Sequence, residues 1–442
     1  MSSIQAPRGT FDVLSADAER RAVLEAHAKR ILGGAGYGRI ETPTFEATEL
    51  FARGVGGATD IVRKEMYSFD DGGGRSLTLR PEVTAPIVRA YMEHGMHKLP
   101  QPVKLWYLSS CFRAEAPQRG RYRQFWQVGA EAIGAAGPET DAELIVLLSD
   151  LLRALGARGI RLRLSSLGTP ETRAEYRREL TAFLRAHEDE LSKDVVERIG
   201  LNPMRAFDAS DERTRQTMRE APLLLDRLAD DDAEHFTRVR ELLDDAGIAY
   251  ELDPTLVRGL DYYTRTVFEF ASDALGAQSG VGGGGRYDGL VEQLGGRPTP
   301  GAGWAAGVER ILLSATDVPV APDVCDLFVA IAGDNSAGGG AAAGGSADGG
   351  SESGRDPDPR AAASRAAFDV ANEARRAGLS AQLELAGRSL KGQLKHADRL
   401  GARYVAIVFD DEHANLRNME SGDQNEIERG AVVAAVLRGE RL

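Results

Sequence analysis

The chain has 442 residues, 27% of them charged, and a formal net charge of −13. This length allows two or three domains, each with its own core, and the acidic balance excludes a generally basic nucleic-acid binder. With only Cys111 and Cys325, neither a disulfide framework nor a four-cysteine zinc site is available. Abundant acidic residues with little lysine are typical of a high-salt cytoplasm, whereas a GC-rich genome explains the arginine but not the acidity. The absence of a membrane-length apolar run or a signal-peptide pattern predicts a soluble cytoplasmic protein.

The N-terminal part alternates helix and strand patterns. Apolar positions from Ala16 to Leu32 recur at helical spacing and end at two glycines, which predicts an amphipathic helix. A strand and turn follow in YGRIETPTFE, where Pro43 favours an edge or an interface because it cannot donate to a ladder. After TLRPEVTAP, a further helix is predicted from Ile87 to His94.

The stretch from Cys111 to Glu131 predicts two antiparallel strands joined by a basic loop. Side chains alternate along a strand, so one face carries Phe125, Gln127, Gly129 and Glu131. An amide and a carboxylate beside an arginine-rich loop suit a ligand with phosphates and hydrogen-bonding groups. From this stretch alone, a solvent-facing amphipathic hairpin is the alternative.

The remaining chain predicts a helical insertion and a second domain. Residues 169–247 are charged and helix-forming with few β-branched positions, which indicates helices only. After a linker near Val318, strand and helix patterns alternate, which argues for a parallel α/β sheet. A Gly/Ser/Asp-rich tract at about residues 334–360 predicts a flexible insertion without chemistry, because it cannot bury enough apolar surface.

Three further stretches carry candidate site residues. LVRGLDYYTRTVFEF combines Arg258 with Tyr262 and Tyr263, a set that suits a phosphate and a flat ring, although tyrosine pairs often only pack. SGVGGGGRYDG contains G-x-G-x-x-G, but no convincing strand precedes it and no acidic residue stands about twenty positions on. A dinucleotide fold is therefore not expected, and close backbone approach to a ligand or a flexible loop remain. In GWAAGVERILL, Arg310 falls in the first helical turn, where a phosphate partner explains it better than the helix dipole does.

Two other signals carry less weight. His94 and His97 have metal-ligand spacing but no supporting Cys or His cluster, so no metal site is predicted from side chains. Four basic residues share one helix face and could meet RNA, although a solvated face is the default. They are Arg388, Lys391, Lys395 and Arg399.

Taken together, the motifs resemble the histidyl-tRNA synthetases, a class II aminoacyl-tRNA synthetase family. PRGTFDV and IETPTFEATELF resemble the N-terminal signature and motif 1, TLRPEVTAP an amino-acid-binding block, and FRAEAPQRGRYRQFWQVGAE motif 2. VRGLDYYTRTVFEF and GGGGRYDGLVEQLGG resemble the two histidine-specific motifs, and GWAAGVERILL resembles motif 3. Several blocks in the correct order are far more specific than any single one.

The resemblance implies an α+β fold: a class II antiparallel-sheet catalytic core with a helical insertion, and a C-terminal α/β anticodon-binding domain. The implied domains are the core in two parts, 1–167 and 248–317, the insertion at 168–247, and the anticodon-binding domain at 318–442. It also implies a homodimer formed through motif 1. The partners are L-histidine, ATP with Mg²⁺, and histidine tRNA, which is charged through a histidyl-adenylate.

Residue roles follow from the matched motifs. The resemblance implies that Glu82, Thr84 and Gln127 hold the α-ammonium of histidine, that Glu131 and Tyr263 contact the imidazole, and that Tyr262 also binds histidine. It implies ATP binding by Arg113, Glu115, Arg121, Phe125 and Arg310, with Arg113 and Arg258 catalytic at the α-phosphate.

Two rival functions are considered. A synthetase-like regulatory subunit of histidine biosynthesis would bind without aminoacylating; such paralogues typically lack the anticodon-binding domain and the catalytic arginines, and this chain has both. A class II synthetase for another amino acid is disfavoured by Glu131, Tyr263 and the LDYY motif.

Overall fold

The computed structural model describes residues 4–56, 59, 61–256, 260–276, 279–315, 318, 325–332 and 359–439. Within it the chain divides into two compact units, Met1–Val320 and Ala321–Leu442. The predicted glycine-rich insertion lies outside the described residues up to residue 358, and so does Arg258.

The first unit contains both helices and strands. In chain order they are α1 (Ser15–Gly34), β1 (Gly38–Arg39), β2 (Phe45–Ala47), α2 (Thr48–Gly54), β3 (Tyr67–Asp70), β4 (Ser76–Leu79), α3 (Thr84–Glu93), β5 (Val103–Phe112), β6 (Gln124–Ile133), α4 (Pro138–Ala154), β7 (Ile160–Ser166), α5 (Pro170–Ala186), α6 (Lys193–Arg198), α7 (Glu212–Met218), α8 (Asp230–Asp245), β8 (Glu251–Leu252), β9 (Thr264–Ser272), β10 (Gly280–Arg286), α9 (Leu290–Gln293), β11 (Gly301–Gly307) and α10 (Val308–Ser314).

Among the described residues, the first unit is built on an eight-stranded sheet in the order β1-β5-β6-β11-β10-β9-β7-β8. Every pairing from β5 to β7 is antiparallel, and only the two-residue edge strands β1 and β8 pair in parallel. This confirms the predicted antiparallel core. Residues 170–247 contribute helices only, as their composition predicts.

Each face of this sheet is covered by its own hydrophobic cluster. One cluster joins α1, α4 and α8 to inward residues such as Val128, Trp304 and Phe268. The other joins α3 and the helical insertion to residues such as Tyr107 and Tyr287 on the opposite face. Because side chains alternate along a strand, the long strands β5, β6 and β9 each supply both clusters. The polar cavity described below lies on the second face.

The second unit contains a mixed sheet. Its elements are β12 (Leu327–Ile331), α11 (Pro359–Arg376), β13 (Ala381–Leu383), α12 (Leu390–Arg399), β14 (Tyr404–Val408), β15 (His413–Asn418), β16 (Gln424–Glu428) and α13 (Val432–Arg438). Strands β13, β12 and β14 are parallel, as predicted, but β15 and β16 add an antiparallel hairpin. The prediction of a purely parallel sheet is therefore wrong at this edge, because a short polar turn returns the chain antiparallel without a crossover helix.

In the part of the chain that the structure describes, helices are too short or too polar to cross a lipid bilayer.

Candidate active site

One cavity of about 220 Å³ lies on the second face of the large sheet. Strands β6, β10 and β11, the turn before α3 and the first turn of α10 supply its walls. The site residues predicted from sequence that line it are Glu82, Thr84, Arg113, Glu115, Arg121, Phe125, Gln127, Tyr262, Tyr263 and Arg310. Glu131 lies directly behind this lining, in contact with Thr84 and Gly303. The structure therefore brings together residues that are far apart in the sequence.

The hairpin β5–β6 orients the first group of these side chains. Ser109 pairs with Gln127 and Leu105 with Glu131, which fixes the register over ten residue pairs. Phe125 and Gln127 face the cavity, whereas Val128 is buried in the opposite cluster. The alternation predicted from the sequence is observed, and the hairpin is not simply an amphipathic surface.

The glycine run at 280–286 is strand β10 in the middle of the sheet. A flexible loop, the alternative left open by its composition, is therefore excluded. A Cβ at Gly284 would lie 2.0 Å from the carbonyl oxygen of Gly303, so no larger residue fits between β10 and β11. Gly280, Gly282 and Gly283 line the cavity, which leaves bare backbone where a ligand can approach.

Glu82 caps the start of helix α3. Its carboxylate accepts hydrogen bonds from the backbone N–H of Thr84 at 2.7 Å and of Ala85 at 3.0 Å. Burial raises its pKa to about 7, although these N–H groups and the charge of Arg113 act in the opposite direction. Glu82 forms no salt bridge among the described residues, and a ligand ammonium group would supply a cationic partner.

Glu131 is fully buried and accepts two side-chain hydrogen bonds. Thr84 Oγ1 donates to Oε1 at 2.8 Å, and the hydroxyl of Tyr287 donates to Oε2 at 2.6 Å. Burial raises the pKa of Glu131 to about 8, and the two donors limit that rise. Sequence reasoning assigned no role to Tyr287, although its RYDG motif was recognised.

Tyr262 and Tyr263 form the wall opposite the hairpin. Their ring centroids are 4.7 Å apart, and Tyr262 meets the ring of Tyr287 edge-on at 5.8 Å. Arg173 of the helical insertion donates a hydrogen bond to the carbonyl oxygen of Tyr263. The insertion thus holds the backbone of this wall in place. The structure does not test the position of Arg258, which lies outside the described residues.

The other end of the cavity is rich in arginine. Arg113 lies 5.3 Å from the centre of the Phe125 ring and donates to the carbonyl oxygen of Pro81 at 3.0 Å. Arg121 pairs with Glu115 at 3.0 Å. Arg310, in the first turn of α10 as predicted, has a pKa lowered by burial and by the charge of Arg121. Cations held this close together favour an anion between them.

Glu309 is a further residue that sequence reasoning missed. Its carboxylate accepts from Arg21 of helix α1 at 2.6 Å and from the backbone N–H of Trp126 at 3.1 Å. The guanidinium of Arg21 in turn lies 5.8 Å from the ring centre of Phe11 and 5.7 Å from that of Trp126. This cluster ties the N-terminal segment to β6 and to the start of α10, where Arg310 stands.

No metal site is found among the side chains of the described residues, since no group of three or more His, Cys, Asp or Glu residues has suitable geometry. Cys111 is buried beside Gln127, and burial raises its thiol pKa to about 12, which leaves it unreactive.

Models of two known domain families match most of the chain. The family model for histidyl-tRNA synthetase matches residues 9–311, and an anticodon binding domain model matches residues 353–438. The chain belongs to the histidyl-tRNA synthetase family. A histidine–tRNA ligase from Desulforudis audaxviator is 45% identical over 99% of each chain. One from Halorhodospira halophila is 46% identical over 93% of this chain and 91% of its own.

A solved structure of this family has the same fold. The apo histidyl-tRNA synthetase of S. aureus superposes with a TM-score of 0.76 at 34% identity, covering 98% of this chain and all of its own. The class II core with a C-terminal anticodon-binding domain, predicted from the motifs, is confirmed by family membership and by this likeness.

Proposed function

We propose that the chain ligates L-histidine to histidine tRNA at the expense of ATP, as a histidine–tRNA ligase. The observation that carries this proposal is one cavity that is lined by the buried carboxylate of Glu82 and by a cluster of arginines, with the buried carboxylate of Glu131 directly behind the lining. The carboxylates suit an amino acid with a basic side chain, and the arginines suit the phosphates of ATP. Family membership over nearly the full length supports the same reaction.

The histidine end of the cavity is assigned from its hydrogen-bonding capacity. Glu82, with Thr84 and Gln127, holds the α-ammonium, because carboxylate, hydroxyl and amide oxygens all accept hydrogen bonds. Glu131 and Tyr263 contact the two imidazole nitrogens, and Tyr262 packs beside them. A buried polar pair rejects amino acids that lack an N–H far more strongly than shape alone does.

The ATP end is assigned from its charge. Phe125 stacks on adenine, and Glu115 meets the exocyclic amine after leaving its pair with Arg121. Arg121 and Arg310 face the outer phosphates. Arg113 and Arg258 hold the α-phosphate, where negative charge rearranges in the transition state.

The reaction takes two displacements. A carboxylate oxygen of histidine attacks the α-phosphorus, and the bond to the β-phosphate oxygen breaks, which gives histidyl-adenylate and pyrophosphate. A terminal ribose hydroxyl of the tRNA then attacks the histidyl carbonyl, and AMP leaves. Positioning of the reactants and charge stabilisation are sufficient without a dedicated protein base for the first step.

Mg²⁺ fits the ATP end of the cavity. The carboxylate of Glu269 lines the wall of the same cavity, and carboxylate and phosphate oxygens are the ligands that Mg²⁺ prefers. When bound, the ion would neutralise the leaving pyrophosphate.

A homodimer formed through motif 1 is part of the proposal. In the three-stranded sheet β2-β4-β3, Phe45 and Phe69 are 49% and 45% exposed, and their rings meet edge-on at 6.2 Å. An exposed aromatic pair on the motif 1 strand suits burial against a second copy. We expect the protein to act in the cytoplasm.

Exchange of labelled pyrophosphate into ATP, measured across a panel of amino acids, tests the function. We expect exchange with histidine alone, followed by histidylation of histidine tRNA. Arg258→Ala should abolish exchange, while Arg297→Ala, at an exposed arginine outside the cavity, should leave it unchanged. Exchange with no amino acid would favour a regulatory binding protein, and exchange with another amino acid would change the assigned substrate.

A further inference from the structure

Glu131 is held from two sides inside the protein. Thr84 donates to one carboxylate oxygen and Tyr287 to the other, and Glu131, Thr84 and Tyr287 are 0%, 7% and 1% exposed. An ionised carboxylate offers about four lone-pair sites, so two are occupied and the others are free for a ligand. The two donors therefore decide which lone pairs of Glu131 remain free for a ligand.

Strand β11 is shaped to accommodate this pair. A Cβ at Gly303 would lie 1.7 Å from Glu131 Oε2, and a Cβ at Gly301 would lie 2.4 Å from the ring of Tyr287. Both glycines lie on the same face of the strand, two residues apart. Glycine weakens the interior of a strand, so it is expected there only where a larger residue does not fit. Gly301 and Gly303 therefore indicate that the Tyr287 ring and the Glu131 carboxylate must lie against the backbone of β11.

The segment that carries Tyr287 is itself anchored. The neighbouring Arg286 is fully buried and donates to Asp141 at 2.6 Å and to Asp288 at 2.9 Å. The backbone N–H of Tyr287 donates to the carbonyl oxygen of Gly301 at 2.7 Å. The tyrosine hydroxyl is therefore presented to Glu131 from a rigid support rather than from a loop.

We infer that Tyr287 is a positioning residue for substrate choice: its hydroxyl orients Glu131 and favours the ionised form, which accepts a hydrogen bond from an N–H of the histidine imidazole. This inference rests on the proposed function and deepens it. Tyr287 need not touch the substrate, because it acts through Glu131. Hydrogen bonds to a charged form stabilise that form, so loss of this donor makes Glu131 easier to protonate.

Tyr287→Phe tests the role, because the ring that packs on Gly301 remains and only the hydroxyl is lost. We expect KM for histidine in pyrophosphate exchange to rise about 10- to 100-fold, the range for a hydrogen bond to a charged group, with KM for ATP unchanged. The acid limb of kcat/KM for histidine should move to higher pH relative to the unaltered protein.

Tyr107→Phe is the matched control. Tyr107 is fully buried on the same face of the sheet, and its hydroxyl has no hydrogen-bond partner among the described residues. Removal of this hydroxyl should leave KM for histidine and its pH profile unchanged. The control separates loss of a specific donor from loss of any buried hydroxyl near the cavity.

The pair is tested further in a Glu131→Gln background, by the increase in melting temperature that histidine produces. There, Tyr287→Phe should change histidine binding by less than about twofold, because the two residues act as a unit. Unchanged KM in Tyr287→Phe, equal rises of KM for histidine and ATP, or full additivity with Glu131→Gln would overturn the inference. Failure of the unaltered protein to exchange with histidine would instead overturn the proposed function.

Discussion

Replacement of Gly303 by alanine adds a single methyl group to the floor of the cavity. The new Cβ would lie 1.7 Å from Glu131 Oε2 and 2.7 Å from the carbonyl oxygen of Ala130. The backbone oxygen belongs to the paired strand β6 and has little freedom, so the carboxylate must move. Real Cβ atoms essentially never lie closer than 3.0 Å to another heavy atom, so Oε2 of Glu131 must move by at least about 1.3 Å.

Such a displacement breaks the hydrogen bonds from Thr84 and Tyr287, which now measure 2.8 and 2.6 Å. Each hydrogen bond to a charged group contributes about 1.5–3 kcal/mol, so loss of both would weaken substrate discrimination by roughly 3–6 kcal/mol. This corresponds to a loss of about 10²- to 10⁴-fold in kcat/KM for histidine. Overpacking should also lower the free energy of unfolding by about 1–3 kcal/mol.

The assay is pyrophosphate exchange at varied histidine and at varied ATP, with urea denaturation of the same samples. Gly289→Ala is the control, because a Cβ there has no atom within 4 Å and the residue has an ordinary φ of −90°. The expected result is a large loss for histidine with KM for ATP little changed. Near-normal kcat/KM in Gly303→Ala would contradict this expectation, since it would show that Glu131 need not lie against this backbone.

Three further predictions concern stability and the ATP end. Because burial raises the pKa of Glu131 from 4.5 to about 8, the folded chain retains a proton there that the unfolded chain releases. The stabilisation from this proton is complete below about pH 4.5 and is lost as the pH rises through about 8. The urea midpoint of the unaltered protein should therefore fall over this range, and Glu131→Gln should make the fall smaller. Equal falls in the two proteins would contradict this prediction. Arg286→Met should lower the free energy of unfolding by about 3–5 kcal/mol, because it removes the guanidinium from the buried carboxylate of Asp141 while the hydrogen bond with His235 remains, and a loss below about 1 kcal/mol would argue against this. Arg21→Met, which keeps an apolar stem against the neighbouring rings, should lower kcat for exchange about tenfold by weakening the support of Glu309 beneath Arg310; an effect on KM for histidine alone would assign Arg21 a different role.

The strand faces were predictable because they depend only on local alternation. Phe125 and Gln127 lie on the cavity side of β6, while Val128 lies in the opposite core. The start of α10 was predictable in the same way, and with it the position of Arg310 in the first turn. These features follow from periods of two and 3.6 residues, which tertiary contacts did not override.

Strand β10 was not predictable from its own residues. Glycine has a low strand propensity, and a run of four reads as a loop. The run is a strand because β9 and β11 flank it on both sides, and side chains would collide with the backbone of Gly303.

The sequence by itself determined the family, the order of the motifs, the helical segment at 170–247 and the face of each long strand, because these depend on local pattern and residue type. Which charged groups are buried, and which residues form hydrogen bonds with them, depends on the tertiary structure. Tyr287 and Glu131 are 156 residues apart, and no local pattern connects them. A hydrogen bond between distant segments, and the burial that raises the pKa of Glu131, exist only once the sheet has brought both groups out of water.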